Sequence, residues 1–147
     1  MYAEPRWWHR LMSKLAEVVK RYLRAQISAG AQAVQLFDSW VGQLSVEDYR
    51  EYVFPHVRYI LHDLEQAGVP VIHCGTGTGA LLDLQREAGG HVIGVDWRAP
   101  IDLAWTRVGA DRAIQGNLDP LVLLSNPDVI RRQAARVLAR AAGRSGH

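Results

Sequence analysis

Apolar positions near the start of the chain recur with a helical period. Trp8, Leu11, Leu15, Val18 and Tyr22 share one side, and Lys14, Glu17, Lys20 and Arg21 take the other. An amphipathic helix is expected, ended by Gly30. The run Ala33 to Phe37 (AVQLF) has the length and character of a strand. After the polar break DSW, Ser45 with Asp48 three residues on resembles a capping box. Tyr49, Val53, Val57, Ile60 and Leu64 then mark a second helix, kinked at Pro55 and closed near Gly68. The rhythm repeats: Val69 to His73 reads as a strand, Gly79 to Ala88 as a helix, His91 to Val95 as a strand, Pro100 to Val108 as a helix and Arg112 to Gly116 as a strand. Asn126 is placed to cap a last helix, with Pro127 at its first position, running to about Ala142.

A helix followed by four strand-helix units, with strands too apolar to carry one wet face, predicts an α/β chain whose parallel sheet is covered by helices. A length of 147 residues suits a single domain spanning residues 1–147. The 17 basic residues are nearly matched by 15 acidic ones, so no general attraction to nucleic acid or to a membrane surface is expected. No apolar run approaches the roughly 20 residues of a membrane helix, and the opening MYAEPRWWHR lacks the order of a signal peptide. Cys74 is the single cysteine, which leaves no internal disulfide and makes the cytoplasm the expected compartment.

The chemistry centres first on VIHCGTGTG, residues 71 to 79. Gly75, Gly77 and Ala80 fit G-x-G-x-x-(G/A) between a strand and a helix, and Asp96 lies 21 residues past Gly75 at the end of the next strand. Bare amides at a helix N-terminus can cradle a pyrophosphate while the acid binds a ribose. The competing reading is that these glycines only let a strand turn sharply into its crossover helix. Every expected strand, moreover, ends in polar residues: Asp38, Ser39 and Trp40; His73 to Thr78; Asp96, Trp97 and Arg98; Gln115, Asn117 and Asp119. Four polar strand ends suit a barrel, where each strand contributes to one mouth, better than a doubly wound sheet with one switch point. A (β/α)8 barrel takes about 250 residues, so the expected architecture is a partial TIM barrel of about four parallel strands.

FDSWVGQLS (37 to 45), GTGTGALL (75 to 82), GVDW (94 to 97) and QGNLDP (115 to 120) stand in the order and spacing found in uroporphyrinogen decarboxylases. From Pro5 onward the chain resembles the C-terminal part of that family's barrel. The resemblance implies a lyase of tetrapyrrole synthesis that removes carbon dioxide from the acetate side chains of uroporphyrinogen to give coproporphyrinogen, without cofactor or metal. An acid protonates a pyrrole carbon, the ring accepts electrons, carbon dioxide leaves and a proton replaces it. A substrate with many carboxylates calls for cationic and hydroxyl partners. On the resemblance the glycine loop is a barrel turn at the substrate mouth.

The family's arginine-rich N-terminal motif, its aspartate beneath the pyrrole N–H groups and its substrate-binding tyrosine have no counterpart here, and its functional histidine lies in an NLGHG motif beyond GRSGH. His147 corresponds only to a structural histidine. Ser39 is the one substrate contact carried over, and no catalytic residue is retained. A truncated member, inactive alone, is therefore expected. Ser39 is the leading substrate-binding candidate, followed by Asp38, Trp40, Gln115 and Asn117. Asp38 and Asp96 also read as scaffold, Arg98 as a helix-start arginine, and Trp97 as core or interface. His73 and Cys74 are adjacent on a strand and point to opposite faces, which disfavours a shared metal. His9, His56, His62 and His91 read as structural, while the Trp7–Trp8 pair and the basic last helix read as packing and a solvated face. A non-catalytic tetrapyrrole-binding or self-associating module is the alternative, with a nucleotide enzyme behind it. Uncovered sheet edges predict a homodimer.

Overall fold

The computed structural model describes residues 1–147. Helix α1 (Pro5–Ser28) begins with proline in its first turn, where a missing N–H costs nothing, and ends before Gly30, whose φ of +103° turns the chain toward β1 (Val34–Asp38). After a 3-10 turn at Val41–Gln43, Ser45 Oγ accepts the Asp48 amide at 3.0 Å and starts α2 (Val46–Asp48). The irregularity expected at Pro55 takes the form of a π turn, Tyr49–Val53, ahead of α3 (Phe54–Leu64). Pro55 cannot donate to the turn before it, and the wider turn clears its ring while burying Tyr49, Tyr52 and Val53.

The remaining elements follow in order. Strand β2 is Val71–Gly75 and α4 is Leu82–Ala88, preceded by a 3-10 turn at Gly79–Leu81 that occupies the start of the expected helix. Then come β3 (Val92–Val95), α5 (Ile101–Val108), β4 (Ala113–Gly116) and α6 (Pro127–Ala141), where Asn126 Oδ1 accepts the amides of Asp128 and Val129. No helix is long and apolar enough to cross a membrane.

The four strands pair in sequence order β1-β2-β3-β4, all parallel. The row Leu36, His73, Ile93 and Ile114 faces the helices. On that side one apolar cluster joins α1, α3 and α4 to β1 and β2, and a smaller one around Ile93, Trp105, Val108 and Ile114 joins α5 to β3 and β4. The neighbouring row, Phe37, Cys74, Gly94 and Gln115, faces the other way. Here the structure departs from the expectation of a sheet with no wet face, since Phe37 is 70% exposed. Four strands make half of an eight-stranded barrel, and the surface that would line its interior stays open. At the N-terminal end of the strands Arg112 braces the sheet, donating to Gly90 O at 2.5 Å and to Glu65 Oε1 at 3.1 Å.

Helix α1 does not bury the stripe its periodicity singles out. Trp8, Ala16, Val19, Leu23 and Ile27 pack on the core, and the Trp8 indole donates to Tyr52 O at 2.8 Å. Of the expected apolar set only Trp8 faces inward; Leu11, Leu15, Val18 and Tyr22 are 49–63% exposed. Lys20, expected on the wet side, instead lies against Tyr59 and donates to its hydroxyl at 2.5 Å. The helix has two apolar faces side by side, and the core took the one richer in small and branched residues.

Across the contact between α1 and α3, His9 Nδ1 and His56 Nε2 stand 2.9 Å apart, close enough to share one proton. Burial, and then the neighbouring His9, lower the proton affinity of His56. The unfolded chain therefore binds more protons than the folded one below about pH 6.5, and stability falls as pH drops through that region. Urea midpoints measured from pH 8 down to 5.5 should decline most steeply below about 6.5, and His56→Gln should flatten the decline. An undiminished slope in that variant would place its cause elsewhere.

Candidate functional site

Each strand's C-terminal end feeds one loop, and hydrogen bonds stitch successive loops together. Thr76 Oγ1 donates to Ser39 O, joining the second loop to the first. The Gly77 amide donates to Asp96 Oδ2 at 2.6 Å, joining second to third. Asn117 Nδ2 donates to Asp96 O and Ala99 O, both at 2.7 Å, joining fourth to third. The result is a continuous polar rim along the edge of the open sheet face.

Glycines make the rim tight. A Cβ on Gly42 would lie 2.3 Å from Thr76 O, so the turn after β1 and the glycine loop touch backbone to backbone. Gly77 has φ +68° and Gly116 φ +111°, and a Cβ on Gly116 would meet Val95 O at 2.6 Å. Asn117 itself sits at φ +113°, a conformation asparagine tolerates better than most residues.

Asp96 answers the nucleotide question raised by the sequence. Its carboxylate accepts the Gly77 amide, the Arg98 amide at 3.0 Å and the Arg98 guanidinium at 2.5 Å. The acid and a loop amide that a dinucleotide would need are bonded to each other. The glycines lead into a 3-10 turn, and α4 begins only at Leu82, so the loop does not present a helix N-terminus to a phosphate.

Asp38 faces the helices. Tyr49 Oη donates to its Oδ2 at 3.3 Å, and Nε2 of the fully buried His73 lies 3.5 Å from the same oxygen. Burial, and then the Asp38 charge, push the Tyr49 phenol well above its ordinary value, so it stays a neutral donor. His73 Nδ1 faces Gln85 O at 3.4 Å, and the Gln85 side chain is fully buried beside it. Cys74 points to the opposite face from His73, over Gly94, where a Cβ would come within 2.8 Å of its Sγ. Burial, and then Asp96, raise the Cys74 thiol above its ordinary value.

Of the candidates, Ser39 gives its carbonyl to the rim, Trp40 after it is 83% exposed, and Gln115 stands in the inner row beside Gly94. Asp38 is turned away, and both amide hydrogens of Asn117 are used within the fold. Arg98 is held by Asp96 and stacks on Trp97, its guanidinium 4.1 Å from the ring centroid. Beyond Asn117 an open groove of about 590 Å³ is lined by Trp97, Asp119, Gln133, Arg136 and Arg140. Its two arginines belong to a helix whose basic residues suggested only a solvated face. Periodicity could not reveal that they flank the rim, because the turn after β4 sets where α6 lies.

The family model for uroporphyrinogen decarboxylase (URO-D) matches residues 1–147. Among curated relatives, a uroporphyrinogen decarboxylase from Sorangium cellulosum is 67% identical over 147 residues, all of this chain and 42% of the relative. Those from Carboxydothermus hydrogenoformans and Thermus thermophilus are 53% and 54% identical, again over all of this chain and 42% and 43% of theirs. The chain thus spans about two-fifths of the length of these relatives.

The contact at Gly42 sets a sharp expectation. Gly42→Ala forces two backbone segments apart and should cost about 2–4 kcal/mol, read as a lower urea midpoint. Gly30→Ala, in open space at a turn, should cost about 1 kcal/mol through its φ alone. Equal effects would mean that the rim is looser than described.

Proposed function

This chain belongs to the uroporphyrinogen decarboxylase family, and from that premise we propose that it forms one wall of a porphyrinogen site. In this reading Ser39 donates a hydrogen bond to a substrate carboxylate, Trp40 and Gln115 border the macrocycle, and Asp38 and Asn117 brace the rim. The observation that carries it is the stitched rim itself: four strand ends held in one line above an open inner row. Arg136 and Arg140 in the adjoining groove suit a polyanionic ligand and give it a cationic approach.

The reaction proposed for the complete site is the family's decarboxylation of uroporphyrinogen to coproporphyrinogen. The bond from an acetate methylene to its carboxyl carbon breaks, the electron pair passes to a pyrrole ring protonated at carbon, and a proton added to the methylene, with loss of the proton from the ring carbon, leaves a methyl group on a restored pyrrole. The wall formed by this chain orients carboxylates, and the acid must come from elsewhere, so the chain alone binds without turning over. The compartment proposed is the cytoplasm, in keeping with one unpaired, half-buried cysteine.

An anaerobic assay with uroporphyrinogen III, products followed by chromatography, should give no coproporphyrinogen, while titration with uroporphyrin should show binding. Ser39→Ala should weaken that binding about tenfold, the cost of one hydrogen bond to a charged group. Turnover would refute the missing-acid reading, and no binding would refute the wall. The exposed inner face also supports self-association of the isolated chain as a homodimer, with Phe37 at the contact. Sedimentation velocity at micromolar concentration should show a dimer that Phe37→Glu dissociates; a monomer throughout would overturn this.

A further inference from the structure

His73 is a fully buried titratable side chain that the proposed reaction does not use. As the middle residue of β2 it points to the helix side of the sheet. Its ring lies between two oxygens: Nδ1 faces Gln85 O on α4 at 3.4 Å, and Nε2 faces Asp38 Oδ2 at the end of β1 at 3.5 Å. A carbonyl and an ionised carboxylate can only accept. His73 is also the one basic side chain in ion-pair contact with Asp38, whose side chain is 14% exposed. The other groups facing the pair are Tyr49, which donates to the same oxygen at 3.3 Å, the unpaired side-chain amide of Gln85, and His56 from α3, which lines an apolar cavity with Asp38.

Counting hydrogens fixes the state of the ring. A neutral imidazole carries one N–H and one lone pair. In either tautomer the lone pair faces an acceptor oxygen, in a buried layer where an unmatched polar atom is costly. With a second proton the ring donates on both sides, and the carboxylate gains the counter-charge that a buried anion needs. Tyr49 cannot substitute, because burial and the Asp38 charge keep its phenol a neutral donor. The Gln85 amide does not reach the carboxylate either: its nitrogen stands over Gly75, where a Cβ would approach it to 3.0 Å.

We propose that His73 is a positioning residue: as an imidazolium it fixes the Asp38 carboxylate and cancels its charge behind the porphyrinogen wall. The ligand side of this statement rests on the wall reading above, whereas the ion pair does not. Asp38 immediately precedes Ser39, so an uncancelled carboxylate would stand beside the segment that receives a polyanion and repel it. The imidazolium leaves the strand end neutral and the pull of Arg136 and Arg140 unopposed.

Two measurements test it. Nitrogen NMR of the imidazole rings at neutral pH should show both nitrogens of His73 protonated; a ring with a single proton would overturn the proposal. In uroporphyrin titrations His73→Gln, which removes the cation and keeps a donor, should weaken binding by about three- to tenfold. Adding Asp38→Asn to that variant should restore most of the loss, because the amide oxygen still accepts from Tyr49 and carries no charge. A double variant as weak as His73→Gln, or weaker, would show a purely structural role and overturn the proposal as well. Failure of the parent chain to bind uroporphyrin would instead fault the wall reading, and the NMR spectrum would then decide the ion pair by itself.

Discussion

The arrangement of the open rim depends on one carboxylate. Asp96 sits at the end of β3 with its side chain only 6% exposed, and it accepts hydrogen bonds from the loop on one side while its own carbonyl takes Asn117 from the other. A buried carboxylate is costly to desolvate unless its oxygens are satisfied, and here backbone amides and a guanidinium do that. The consequence is geometric. The glycine loop cannot swing outward without stranding a charge, so Ser39, tied to that loop through Thr76, is held in register with Gln115 three strands away. What resembles half of a nucleotide fingerprint is a structural clasp.

A second polar layer lies beneath the first strand end. Asp38, Tyr49, His73 and Gln85 meet between the sheet and its helices. The π turn before Pro55 carries Tyr49 into this layer, so a backbone irregularity imposed by one proline supplies a donor beneath the FDSW segment. Fold and rim are connected at this point: the carboxylate of Asp38 is fixed from behind, and the carbonyl of its neighbour Ser39 is tied to the glycine loop by Thr76.

Much of this was legible in the sequence, for physical reasons. Alternating strand and helix lengths, Gly30 and Asn126 as punctuation, and polar residues at every strand end are local features, and they placed the elements within a few residues. The orientation of α1 was not legible, because a helix with two adjacent apolar faces offers two answers and only the neighbouring elements choose. The roles of Asp38 and Asn117 were hidden for a different reason. A polar residue at a strand end can serve a ligand or its own backbone, and only three-dimensional neighbours distinguish the two. Asn117 did carry a signal, since asparagine after glycine suits the positive φ it adopts. His73, alone in an apolar strand, marked a buried polar partner that sequence could not name.

The strictly sequential strand order also governs how the molecule comes apart. Because each strand pairs only with its neighbours in sequence, cohesion is passed along the chain link by link, as in a stack of repeats. The links are unequal. The α1-α3-α4 end shares the larger apolar cluster, whereas Ala141 is the only buried residue of α6. Opening therefore begins at the β4-α6 end and works inward, exposing the arginine-lined groove to proteases while the first two strands remain closed.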